Sequence, residues 1–190
     1  MNQIRVLFLI SILTFLTKSL VAQTYETISF GLETVNATNV SSDYRDNWAF
    51  ESRLLNGFHV STPISFGEIK LKYARFNQVN KLDNQIDVST ADITLEFIYL
   101  IPIVDFMSVG ISPFIGAQEI VVNQVDGNKR EREAILGSSL KLYLRKNHFT
   151  LFSSYSYHTV FYYERQKISS ISFGASYSFK LPRKITEWIN

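Results

Sequence analysis

The 190-residue chain has no cysteine, only three histidines, eight glycines and four prolines. Without cysteine there is no disulfide framework and no thiolate metal site, so an exported chain must rely on its core or on closed sheet hydrogen bonding. No His/Asp/Glu cluster has metal-ligand spacing, and no glycine-rich phosphate loop appears. Beyond residue 22 there is also no apolar run near the ~20 residues that a helical membrane span needs. Excess charge of one sign is lacking as well. The formal net charge is +2, but Arg5 and Lys18 both lie in the first 22 residues, which hold no acid. The remainder is balanced and carries no basic footprint for nucleic acid.

Those 22 residues differ from the rest. Asn2, Gln3 and Arg5 form a short positive start, Val6 to Leu16 is apolar apart from Ser11 and Thr14, and Ser19-Leu20-Val21-Ala22 ends on a small residue. This is the layout of a secretory signal peptide cut after Ala22. The domain plan is therefore 1–22 signal peptide, 23–179 one folded domain, and 180–190 a short tail.

What is present in quantity is period-two alternation. From Ile168 to Phe179, Ile171, Phe173, Ala175, Tyr177 and Phe179 share one side of an extended strand, while Ser170, Ser172, Gly174, Ser176 and Ser178 share the other. Seven earlier stretches repeat the theme, near 25–35, 48–60, 64–76, 90–99, 106–118, 134–145 and 149–162. Ser61-Thr62-Pro63, Ile101 to Asp105 and Lys146-Asn147-His148 read as tight reversals. The hydrophobic phase shifts across Gly67, which predicts a β-bulge there. Pro113 predicts a break in its strand. Three long polar loops are expected at 36–46, 77–88 and 119–133. Eight strands of roughly 10–13 residues, with short and long connections alternating, suit a barrel that crosses a bilayer.

The charges decide which face meets lipid. Glu51, Arg53, Glu68, Lys70, Lys72, Asp92, Glu96, Lys141 and Arg145 all fall on the polar parity. An eight-stranded barrel has an interior just wide enough for side chains, where opposite charges can pair. Facing lipid, Arg or Lys would cost ~2–4 kcal/mol at mid-bilayer. A soluble lipocalin-like barrel would instead turn the apolar face inward around a ligand. The expected fold is all-β: an eight-stranded antiparallel up-and-down transmembrane β-barrel with a filled polar interior, preceded by a cleaved signal peptide. Tyr44, Trp48, Tyr73, Tyr99, Tyr162 and Tyr163 are candidates for the lipid–water boundary.

On these residues the chain resembles the small eight-stranded outer-membrane β-barrel family of Gram-negative bacteria, over roughly 23–179. Ser172-x-Gly174-x-x-Tyr177-x-Phe179 looks like the C-terminal signal read by the barrel-assembly machinery, although Lys180 to Asn190 follows it. The resemblance implies an outer-membrane location with periplasmic termini. It also implies contact with outer-membrane lipid and lipopolysaccharide, an unknown surface partner, and a monomer. Open porins need ~16–18 strands, so a structural or surface-interaction role is expected. The alternatives are a lipid-modifying enzyme or a soluble ligand-binding barrel. A nucleophile and base could come from His59-x-Ser61, His148-x-Thr150, or His158 with Ser156 or Thr159. The first two pairs fall at expected periplasmic turns. His158 has no carboxylate orienter in its own strand, and Glu164 is the nearest acid in sequence. The chain is therefore expected to have no catalytic, cofactor-binding or metal-binding residues.

Overall fold

The computed structural model describes residues 27–40, 48–51, 54–64, 67–80, 85–124, 127–161 and 165–181. The expected signal peptide and most of the tail lie outside the described residues. So do Glu164 and the interfacial candidates Tyr44, Tyr162 and Tyr163, together with the side chains of Trp48 and Glu51 and the whole of Arg53.

The described residues form ten strand segments: β1 (Thr27–Asn39), β2 (Trp48–Glu51), β3 (Gly57–Ile64), β4 (Gly67–Asn80), β5 (Gln85–Glu96), β6 (Tyr99–Val104), β7 (Met107–Gln124), β8 (Gly127–Lys146), β9 (Phe149–Val160) and β10 (Gln166–Lys180). Every pairing is antiparallel, and the ring runs β1, β3, β4, β5, β7, β8, β9, β10 and back to β1. The closing seam is long, from Thr27 opposite Lys180 to Asn39 opposite Ile168. The two remaining segments continue interrupted staves. β2 pairs β4 beyond the end of β3, and β6 pairs β7 beyond the end of β5. The wall is thus the expected closed eight-stranded barrel, and closure leaves no sheet edge to be solvated by lipid.

The faces fall as the alternation predicts. Phe30, Leu32, Ile93, Ile115, Leu140, Tyr155 and Phe173 are among the large apolar residues exposed on the exterior. In water such a continuous apolar surface would drive aggregation, whereas in a bilayer it meets hydrocarbon. The polar parity is inside: Glu33, His59, Glu96, Gln118, Lys141 and Ser172 are buried. A lipocalin-like arrangement is overturned by this placement.

Several local expectations change. Ser61-Thr62-Pro63 is not a reversal but lies inside β3, with Ser61 opposite Lys70 and Pro63 opposite Glu68. The β3–β4 pairing continues past Pro63 to Ile64 opposite Gly67. The register from Gly67 to Ala74 is continuous, so no bulge marks the phase shift. Ile101 to Val104 is strand, paired on β7, and the reversal is at Asp105-Phe106. β7 runs unbroken through Pro113. The Phe97 N–H donates to the Pro113 carbonyl at 2.9 Å. In an antiparallel ladder a residue's N–H and C=O point the same way. The donor that proline lacks would therefore face Phe97, where β5 gives way to β6, and the break appears in the neighbouring strand.

The three long loops are shorter than expected, because β1, β4, β5, β7 and β8 extend into 36–39, 77–80, 85–88, 119–124 and 127–133. β7 and β8 pair all the way to Gln124 opposite Gly127, while β9 joins β8 only from Ile135 onward. These extensions mix polar residues with the apolar run Ile120 to Val122, so they lack the period-two pattern that marks the rest of the wall.

At the opposite end, aromatic side chains cluster near the 147–148 turn and the β1–β10 seam. Phe30 packs edge-on to Phe179 (5.8 Å between ring centroids), Tyr177 to Phe179 (4.7 Å), and His148 lies 5.9 Å from Tyr177. Tyr99 is exposed, while Tyr73 packs on Phe58 at 5.3 Å.

Candidate functional site in the barrel lumen

Two ion clusters brace the lumen. Glu33 on β1 receives His59 Nδ1 at 3.1 Å and Lys72 Nζ at 3.0 Å, one partner on each carboxylate oxygen. The register explains the meeting. His59 stands opposite Gly31 on β1 and opposite Lys72 on β4, so both lean toward the carboxylate two residues along β1. Gly31 is required by this approach, because a Cβ there would lie 2.3 Å from the His59 ring. Phe152 lies edge-on to that ring, 5.3 Å away, and Lys70 sits 5.7 Å over Phe152. The second cluster centres on Lys141 of β8. It bonds Glu96 of β5 and lies 3.6 Å from Glu68 of β4. A buried charge is tolerable only when paired and hydrogen-bonded, and these clusters meet that condition.

Serine hydroxyls join β9 and β10 along the inner wall. Ser154 pairs with Ser172 at 2.7 Å and Ser156 with Ser170 at 2.6 Å, while Ser29 on β1 meets Ser178 at 2.8 Å. Of the charges expected inside, Glu68, Lys70, Lys72, Asp92, Glu96 and Lys141 line the lumen or its ion clusters. Arg145 does not join them: it lies exposed near the 147–148 turn, 4.9 Å over the Tyr143 ring.

Toward the long-hairpin end the lumen changes character. Val35, Phe76, Val88, Ile135, Val160 and Ile168 are buried there and point inward. All of these but Val160 line a cavity of about 350 Å³, which also has Asp92, Gln118, Lys72 and His158 in its lining. The interior is therefore packed with ion pairs in one storey and hollow, with an apolar collar, in the next. The strand alternation could reveal inward polarity but not this vertical segregation.

The histidines separate into three situations. His59 is not at a turn, as its sequence neighbourhood suggests, but deep in the lumen, committed to Glu33. His148 is at the 147–148 turn, where it was expected. His158 lines the cavity, and neither ring nitrogen has a hydrogen-bond partner among the described residues. Phe114 packs 6.0 Å from its ring. Gly137 makes room for both, since a Cβ there would fall 2.5 Å from the His158 Cβ and 2.7 Å from Phe114. Gln118 adds a further orphan. Its amide nitrogen donates to Asp92 at 2.9 Å, which leaves the buried Oε1 without a partner. Ser156 bonds Ser170, and no hydroxyl is hydrogen-bonded to His158.

No protein-family model matches the sequence, and no curated protein does either. Solved structures do. Neisserial surface protein A superposes with a TM-score of 0.57 at 12% identity, covering 80% of this chain and 96% of its own. Ail, the attachment invasion locus protein of Yersinia pestis, gives 0.47 at 14% identity, covering 81% and 97%. The N-terminal β-barrel domain of Pseudomonas aeruginosa OprF gives 0.47 at 16% identity, covering 83% and 100%. The likeness to Neisserial surface protein A, at 12% identity, is one of fold, and the fold is that of the small eight-stranded outer-membrane β-barrels.

Proposed function

We propose that this chain resides in the outer membrane of a Gram-negative cell. Its barrel presents the β7–β8 hairpin outward, and both termini and the short turns lie on the periplasmic side. The role is surface interaction, without catalysis and without an open pore. The β7–β8 hairpin is the observation that carries this reading. It stays paired to Gln124–Gly127, well past the point where β9 leaves β8. Arg130, Glu131 and Arg132 are exposed there, and Arg132 is tied to Glu119 at 3.0 Å. Alternating charge on a free strand edge prevents indiscriminate sheet pairing while offering a polar contact surface. The ion clusters across the lumen argue against a conducting channel.

The belt side chains contact membrane lipid, with lipopolysaccharide at the outward rim, and the protein acts as a monomer. Its insertion uses Ser172, Gly174, Tyr177 and Phe179 as the assembly signal. In support, Tyr177 and Phe179 face outward, where a receptor can read them, and Ser172 and Gly174 do not.

Orientation and role are tested together. A site for a sequence-specific protease placed between Val125 and Asp126 should be cut on intact cells. The same site between Asn147 and His148 should be cut only after the outer membrane is permeabilised. The reverse pattern overturns the orientation. Deleting 120–131 should abolish any adherence that the protein confers on a cell, and unchanged adherence overturns the hairpin's role.

A further inference from the structure

One sector of the outer wall turns cationic where its apolar belt ends. On β8 the outward parity runs from Leu144 to Ala134, about 25 Å of wall height at the usual strand tilt, which is the height of an outer-membrane apolar band. The same parity then continues into Arg132 and Arg130, both exposed. On β10 the outward parity from Phe179 to Ser169 leads to Lys167, and Arg165 follows just before the strand, both again exposed. β9 lies between them. The Phe161 N–H donates to the Ala134 carbonyl at 3.0 Å, and the Arg165 guanidinium lies 5.9 Å over the Phe161 ring. β8 and β10 are therefore two strand spacings apart, about 10 Å, at the level of these cations. Long side chains projecting from both strands can close on one group across that gap. We propose that this sector, with Arg130, Arg132, Arg165 and Lys167 around Phe161, binds the phosphate of a phosphorylated glycolipid in the outer leaflet.

Three features select that chemistry. The first is charge. Among the described residues the acid on this outer face is Glu119, which holds Arg132 at 3.0 Å. Glu131 and Glu133 fall on the opposite parity. Four cations against one acid leave the sector strongly positive. Elsewhere on the rim the balance differs, because Arg75 of β4 is closed by Asp87 of β5. The second feature is depth. Leu136, Tyr157 and Ile171 are exposed on the flank just below, so acyl chains lie beside the same cations. A soluble polyanion has no acyl chains for that flank and gains from charge alone. The third is donor geometry. An arginine fork meets a phosphate with two parallel hydrogen bonds, and each is strengthened by charge. A zwitterionic headgroup brings its own cation and gains less. The site rests on the outward orientation proposed above, since only then does the sector face the outer leaflet.

The test uses the full barrel in phosphatidylcholine nanodiscs and follows the Phe161 amide signal by NMR. Bis-phosphorylated lipid A, its dephosphorylated form or soluble polyphosphate is added. Lipid A should give a saturable shift. The dephosphorylated lipid should need roughly tenfold more or beyond, the value of one lost charge-assisted hydrogen bond. Arg130→Gln, Arg165→Gln and Lys167→Gln combined should weaken the lipid A response by about tenfold or more. Arg75→Gln, on the far side of the β5 and β7 staves, should leave it unchanged. Equal response to the dephosphorylated lipid, an unaltered response in the combined variant, or polyphosphate saturating the signal at a lower concentration than lipid A would overturn the site. Heat-dependent gel mobility reports whether each variant is still a barrel. Should the combined variant lose it, Arg165→Gln alone decides, with a weakening of about three- to tenfold expected. Nanodiscs expose both ends of the barrel, so this binding does not depend on orientation in the cell. Cutting of the hairpin on intact cells without a lipid A response refutes the site alone. A saturable response with cutting only after permeabilisation refutes the orientation, and with it the outer-leaflet assignment.

Discussion

Glu33 has no exposed surface, yet it carries a formal charge in the middle of a barrel. Its cost is met by two partners from two different strands, so its deletion should leave His59 and Lys72 facing each other uncompensated. Glu33→Ala is expected to destabilise the barrel by about 3–5 kcal/mol, the range for breaking a buried pair from one side. Urea titration of the protein refolded in lipid vesicles measures this, and a change below 1 kcal/mol would mean the cluster is hydrated and dispensable. Gly31 belongs to the same argument. Alanine there meets the His59 ring at 2.3 Å and must displace it from Glu33. A loss of about 1–3 kcal/mol is expected, as for an overpacked site. If His59→Ala restores stability to Gly31→Ala, the clash is the cause, and additivity of the two would contradict it.

At the scale of the element, the Asn56 side chain ties the start of β3 to β1. Asn56 Oδ1 accepts from the Val35 N–H at 2.7 Å, and its Nδ2 donates to the Val35 carbonyl at 2.9 Å. An amide thus replaces the backbone pair that a continuous strand would have supplied, while the Asn56 carbonyl accepts from the Arg75 N–H at 2.8 Å. Leu55 takes a positive φ of 55° to make the turn and donates its N–H to Thr34 Oγ1 at 3.0 Å. Asn56→Leu should leave both Val35 groups unpaired and cost about 1–3 kcal/mol. Amide hydrogen exchange at Val35 should speed up more than exchange at Leu32. Equal protection in both proteins would show that the side chain is not the strand's surrogate. This device was not legible beforehand, because one asparagine among many polar residues carries no periodic signal.

For the whole molecule, the two faces make opposite demands. Ile93 faces lipid and Thr94, its neighbour, faces the lumen, buried at 7% exposure. Ile93→Arg should cost about 2–4 kcal/mol in a bilayer if this position is near the midplane. The same substitution should be close to neutral if the exterior were wet. The folded barrel should also migrate differently from its boiled form in detergent gels, and a single mobility for both would contradict a closed sheet.

The alternation of side chains settled the class of fold, the number of staves and the sign of each face. The physical reason is that lipid and lumen impose chemistry at every second residue, which a linear pattern records. It also placed Glu68, Lys70, Lys72, Asp92, Glu96 and Lys141 inside. It could not say that Glu33 would meet His59 and Lys72, nor that Lys141 would reach Glu68 and Glu96, because those meetings depend on register between strands far apart in the chain. It misread Ser61-Thr62-Pro63 and Ile101 to Val104, where turn-like composition or an apolar run sits within paired strand, and it hid the extensions of β7 and β8. The hollow above the ion clusters, with His158 and Gln118 in its lining, arose only when eight strands closed and their inward side chains stacked at particular heights.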